Sequence, residues 1–128
     1  MKSKLSFGLT AVALGAALAL TGCGGGGAGE PTKPAAETFT VGALDAFKYD
    51  PPTITVTAGE QVNIILDNKG VLEHNFVIDE FNLHVGPVAG GVKSDPHSFP
   101  PPTAGTYTFY CDVPGHKEAG MTGTLTVR

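Results

Sequence analysis

Hydrophobic and polar positions alternate with a period of two through much of the chain. In Thr53-Ile54-Thr55-Val56-Thr57 the apolar Ile54 and Val56 share one face, the pattern of a half-buried strand. Ala58-Gly59-Glu60 marks a turn. Residues 61–66 resume the alternation, with Val62, Ile64 and Leu66 inward, and Asp67-Asn68-Lys69-Gly70 forms a second polar turn. His74, Phe76 and Ile78 again share a parity. Further on, Tyr107, Phe109 and Cys111 lie on one face, with Thr106, Thr108 and Tyr110 on the other. The last strand sets Gly123, Leu125 and Val127 inward against Thr124 and Thr126. Beyond the N-terminal segment, no stretch carries a 3.6-residue period of helical length. Short strands divided by Gly, Pro and Asn turns predict an all-β sandwich or barrel. Residues 79–102, rich in Gly and Pro, read as a long irregular loop with one edge strand. Pro100-Pro101-Pro102 cannot enter a central strand. There is no internal repeat.

The N-terminus follows a different rule. Lys2 and Lys4 precede an apolar run of about 16 residues, 5–20, shorter than the ~20 that span a bilayer as a helix. An uncleaved anchor is the alternative, but the run ends in small residues, as a secretory signal does. Its last four residues, Leu20-Thr21-Gly22-Cys23, resemble the bacterial lipobox. That resemblance implies cleavage after residue 22 and lipid on Cys23. The competing expectation is cleavage elsewhere, with Cys23 left free. Glycines at 24–27 and 29, then Pro31 and Pro34, describe a tether that is flexible first and stiffer later. It lacks the Gly-Lys-Ser/Thr ending of a phosphate loop. The predicted organisation is a signal peptide at 1–22, a lipidated cysteine and linker at 23–37, and one domain at 38–128.

Composition narrows the function. The 128 residues suit one domain, and 41% hydrophobic against 16% charged residues is enough to bury a core. Net charge is −4, and loss of the first 22 residues, with Lys2 and Lys4, makes it −6. An acidic chain argues against nucleic-acid binding, which needs a basic surface. Two cysteines exclude a disulfide-stapled scaffold, a four-thiolate zinc site and a cysteine-ligated iron–sulfur cluster. With Cys23 lipidated, Cys111 is left as an unpaired thiol outside the cytoplasm, where a free thiol needs deep burial or a task.

Cys111, His116 and Met121 sit on one loop whose Pro114, Gly115 and Gly120 allow it to turn back on itself. His74 lies upstream with an inward parity. Two imidazoles, one thiolate and a weak thioether form the donor set of a blue-copper electron-transfer site. Thiolate and thioether suit Cu(I), and imidazole suits both oxidation states. Zinc is an alternative for this set, although Met is a poor zinc ligand. Taken singly, a buried Cys, a core Met or a surface His would mean nothing; the combination and its spacing carry the argument.

Glu73-His74-Asn75-Phe76, and residues 102–111 continuing through His116 and Met121 to Gly123-Thr124-Leu125, resemble the plastocyanin/azurin family, the cupredoxins. The resemblance implies a Greek-key β-sandwich of about eight strands with one type 1 copper ion near one end. Its ligands would be His74, Cys111, His116 and an axial Met121. Asn75 would tie its strand to the Cys111 loop, and His116 would be the exposed ligand. Val113, Pro114 and Ala119 would form an apolar docking patch, and Tyr107 would be a structural tyrosine corner. Four residues separate Cys111 from His116, more than plastocyanin uses and closer to azurin and the bacterial auracyanins. His84 and His97 read as exposed loop residues, with a second copper site or a lid as the alternative.

The expected function is one-electron carriage by a monomer held by lipid to a bacterial membrane on its extracytoplasmic side. Its partners would be redox proteins such as cytochromes, a membrane electron-transport complex, or a terminal reductase or oxidase. Copper storage or delivery is the alternative. A copper oxidase or nitrite reductase would need more histidines than the chain's four.

Overall fold

Among the described residues nine strands arise, five where the alternation is strongest and four where it is diluted. They are β1 (Glu37–Leu44), β2 (Lys48–Asp50), β3 (Thr53–Val56), β4 (Val62–Asn68), β5 (His74–Ile78), β6 (Leu83–Val88), β7 (His97–Phe99), β8 (Gly105–Tyr110) and β9 (Thr122–Val127). This computed structural model describes residues 35–128. The predicted signal peptide, the lipid attachment at Cys23 and most of the tether lie outside the described residues. Among the described residues no helix is long and apolar enough to cross a membrane.

The strands form two mixed sheets, in the orders β2-β1-β4-β7 and β3-β9-β8-β5-β6. Parallel pairs join β1 to β4 and β3 to β9, and antiparallel pairs make the rest. The result is a Greek-key sandwich. Alternation fills its interior as expected. Ile54 and Val56, then Val62, Ile64 and Leu66, Phe76 and Ile78, Phe109, and Leu125 and Val127 are all buried in one apolar core. Tyr49, Phe76 and Phe109 make its aromatic centre, with Phe76 and Phe109 stacked at 4.5 Å between centroids.

Residues 79–102 correct the expectation of a loop with one edge strand. A single 3₁₀ turn (Asp79–Phe81) leads into β6, and β7 follows. β6 pairs with β5, and β7 pairs with β4. His84 and His97 therefore lie on strands, not in a loop. His84 is exposed, whereas His97 is half-buried. Residues 100–102 stay outside every strand.

Candidate metal centre

The site forms at one end of the sandwich. His74 opens β5, the strand held between β8 and β6. Cys111 follows the last residue of β8, and the loop of residues 111–121 carries the chain to β9. A nest of backbone bonds curls this loop. The His116 amide donates to Val113 O at 3.0 Å, Ala119 to Gly115 O at 3.1 Å and Gly120 to Lys117 O at 2.9 Å. Gly115 and Gly120 take φ of +87° and +99°, a region that glycine enters freely. The loop then closes on itself, since Met121 N donates to His116 O at 3.0 Å and Cys111 N to Met121 O at 3.1 Å.

Three donors converge as a result. Nδ1 of His74 lies 3.1 Å from Nδ1 of His116, and Sγ of Cys111 lies 3.4 Å from the same nitrogen. All three atoms fall within 4.8 Å of one another. His74 and Cys111 have no solvent exposure, and His116 keeps 9%, so His116 alone of the three reaches the surface, and only by an edge. Met121 is fully buried in the same core, beside Cys111 and His116 through its backbone bonds. Typical ligand lengths, about 2.0 Å for nitrogen and about 2.3 Å for sulfur, place donors on one roughly tetrahedral ion about 3.3 Å (N to N) and 3.5 Å (N to S) apart. The observed spacings fit one small ion.

The residues around the donors hold them in place. The Asn75 amide N–H points at Cys111 Sγ, 3.4 Å away. Its side chain accepts the Asp112 amide at 2.8 Å and donates to the Asp112 carboxylate. Strand β5 is thereby tied to the start of the ligand loop. Tyr49 donates its hydroxyl to Asn75 O at 2.5 Å, and burial pushes its phenol pKa well above the usual range. Asn68 reaches the carbonyls of Leu72 (2.7 Å) and Val88 (2.8 Å) and accepts from Gly70 N, which fixes the approach to His74. Tyr107 donates to Thr103 O at 2.9 Å, the bond of a tyrosine corner. Burial lowers the His74 pKa, against the opposing pull of Asp45, and favours the neutral, metal-competent imidazole. The Asp45 carboxyl is itself held below its usual value by the Val71 and Leu72 amides.

Neither remaining histidine joins the cluster. His84 Nε2 lies 3.4 Å from the side-chain nitrogen Nδ2 of Asn75 and 3.5 Å from the Asp112 carboxylate. His97 lies 2.9 Å from Asp95 O. Pro114 and Ala119 are exposed and Val113 is half-buried. Sequence reasoning missed Asp45, Phe47 and Tyr49. The one local sign of them is an acidic residue two and four positions before aromatic ones, Asp45-Ala46-Phe47-Lys48-Tyr49.

A family model described as a cupredoxin-like domain matches residues 10–127. The chain is 34% identical over 113 residues to the copper-resistant cuproprotein CopI of Rubrivivax gelatinosus, covering 73% of this chain and 68% of that one. It is 42% identical over 95 residues to a plastocyanin of Dryopteris crassirhizoma, covering 64% and 89%. Among solved structures, a reduced auracyanin from Roseiflexus castenholzii superposes with a TM-score of 0.66 at 23% identity, covering 73% and 98%.

Proposed function

The chain belongs to the cupredoxin-like family, and on that footing we propose that it is a membrane-tethered type 1 copper protein that carries single electrons between redox partners. The observation that carries this reading is the buried convergence of His74 Nδ1, Cys111 Sγ and His116 Nδ1. Two imidazoles and a thiolate, with Met121 as the weak axial donor, are the ligand set of electron-transfer copper. One copper ion held there would supply the Cu(I)/Cu(II) couple.

The chain's own residues do the remaining work. Burial of Cys111 keeps its sulfur from dissolved oxidants. The Asn75–Asp112 pair and the closed backbone loop keep the donors in place whether or not an ion is bound, so little has to move when charge changes. His116 gives the centre its edge toward solvent. Val113, Pro114 and Ala119 surround that edge with a small apolar surface, suited to weak and brief encounters. A lipid on Cys23 and the tether to residue 37 would hold the domain at the extracytoplasmic face of a membrane and raise the local concentration of partners there. Those partners would be cytochromes, a membrane electron-transport complex, or a terminal reductase or oxidase.

Absorption and EPR spectra of the chain with one equivalent of Cu(II) test the reading. An intense charge-transfer band in the visible with narrow copper hyperfine splitting supports it. A pale protein with ordinary tetragonal copper signals refutes it, because Cys111 would then not be a ligand. The likeness to a copper-resistant cuproprotein favours storage or delivery as a second reading. Fast electron exchange with slow copper loss to chelators separates the first reading from the second.

A further inference from the structure

One turn of the chain touches both imidazoles. Residues 45–47 connect β1 to β2. The Asp45 carboxylate lies 3.3 Å from Nε2 of His74, the ring nitrogen opposite the one that faces His116. Two residues on, Phe47 sets its ring edgewise on His116, with centroids 5.0 Å apart and planes at 67°. This turn belongs neither to the ligand loop nor to the strand that carries His74.

The carboxylate is anchored. Both its oxygens accept from Val71 N, at 3.1 and 2.9 Å, and Oδ1 also accepts from Leu72 N at 3.1 Å. These two amides precede His74 by three and two residues. Gly70 passes so near that a Cβ there would overlap the carboxylate. An ionised carboxylate can only accept hydrogen bonds, so the proton between Asp45 and His74 sits on Nε2. The lone pair of Nδ1 is then free and directed toward Cys111 and His116.

We propose that Asp45 is a positioning residue of the metal centre: its carboxylate fixes His74 as the Nε2–H tautomer and strengthens Nδ1 as a donor, more for Cu(II) than for Cu(I). The part concerning copper rests on the function proposed above; the tautomer concerns the chain alone. A carboxylate on the far nitrogen of a ligating histidine orients the ring and raises its basicity. His74 is fully buried, while the Asp45 carboxylate is 37% exposed, so solvent screens part of its charge and the hydrogen bond to Nε2 carries most of its influence. The more positive copper state gains more from it.

Two measurements on the full chain test this. The first is nitrogen NMR of the metal-free protein. His74 is expected as the Nε2–H tautomer with a slowly exchanging ring proton. Asp45→Leu should lose that state, and Asp45→Glu should restore part of it. A proton on Nδ1 in the wild type, or a tautomer indifferent to Asp45→Leu, would overturn the proposal. The second compares Cu(II) and Cu(I) affinities by chelator competition in wild type and Asp45→Asn, which keeps an oxygen for the Val71 and Leu72 amides. Cu(II) affinity should fall ~10–100-fold and Cu(I) affinity by less. Each tenfold change in their ratio raises the one-electron potential by about 59 mV. Equal losses for both ions mark a merely structural role and overturn the copper half, as does no loss at all. If the wild type takes up no copper while the NMR result holds, the proposed function fails and the tautomer assignment stands.

Discussion

Gly123→Ala puts the packing beneath the centre to a quantitative test. Gly123 faces inward on β9, opposite Phe109 on β8. A Cβ at this position would fall inside the contact envelope of the Phe109 ring and 2.7 Å from Pro52 O, where carbon contacts are optimal at about 3.5–4.0 Å. The ring cannot simply retreat. It is fully buried, stacked on Phe76 at 4.5 Å and met edgewise by Tyr49 at 5.2 Å, and the Pro52 carbonyl is backbone. Overpacking typically costs about 1–3 kcal/mol, and two obstacles place this case near the top. Replacing a strand glycine returns about 0.5–1 kcal/mol through the unfolded chain. The net expectation is a loss of about 2 kcal/mol, or a fall in Tm of about 8–16 °C for a domain of this size. Urea and thermal unfolding of the metal-free protein would measure it. Phe109→Leu should relieve part of the loss when combined with Gly123→Ala, giving a coupling of at least about 0.5 kcal/mol in a double-mutant cycle. A single variant within about 0.5 kcal/mol of wild type, or strict additivity in the cycle, would refute the argument.

Other expectations bear on the centre and on the surface. Cys111→Ser should abolish the blue charge-transfer band of the copper-loaded protein and leave its far-ultraviolet circular dichroism intact; a surviving band would show that sulfur is not a ligand. Met121→Leu should keep the colour and raise the reduction potential measured by voltammetry, because a donor that stabilises Cu(II) is lost; an unchanged potential would remove Met121 from the axial position. Asp67 is held below its ordinary pKa of 3.8 by Lys69 at 2.5 Å and, secondarily, by Lys93 at 3.3 Å. A depressed carboxyl contributes stability above its unfolded pKa and loses it as pH falls through the folded value. Asp67→Asn should therefore destabilise at neutral pH, with a deficit that shrinks only below about pH 4; a deficit independent of pH in urea titrations would refute the pairing.

The legibility of the fold followed the strength of local alternation. β3, β4, β5, β8 and β9 were readable because branched or aromatic residues sit at every second position. β6 was not, because Gly86-Pro87 interrupts the alternation of Leu83 and Val85 before Val88. The structure absorbs that interruption as a register shift against β5, where His74 faces Val88 and Phe76 faces Val85. β1 was hidden by Gly42 and Ala43, whose small side chains carry little pattern although both are buried. The cluster of His74, Cys111 and His116 was visible because two of its three residues lie, with Met121, within one short loop of unusual chemistry. Asp45 was not visible, since its partner His74 lies 29 positions away and only the packing of the β1–β2 turn brings them together.

Both sheets stop cleanly. The four outermost strands are β2, β7, β3 and β6. β2 and β7 are three residues long and each runs straight into prolines, Pro51-Pro52 and Pro100-Pro101-Pro102, while β3 begins directly after Pro52 and β6 contains Pro87. Proline has no N–H to offer an incoming strand, and short, proline-marked edges are how sheets resist adding one. Copies of the domain crowded side by side would otherwise zip together along such edges into lasting ribbons. With the margins of its sheets closed to new strands, the sandwich of residues 37–127 is left to meet its neighbours through side chains, and such contacts part as readily as they form.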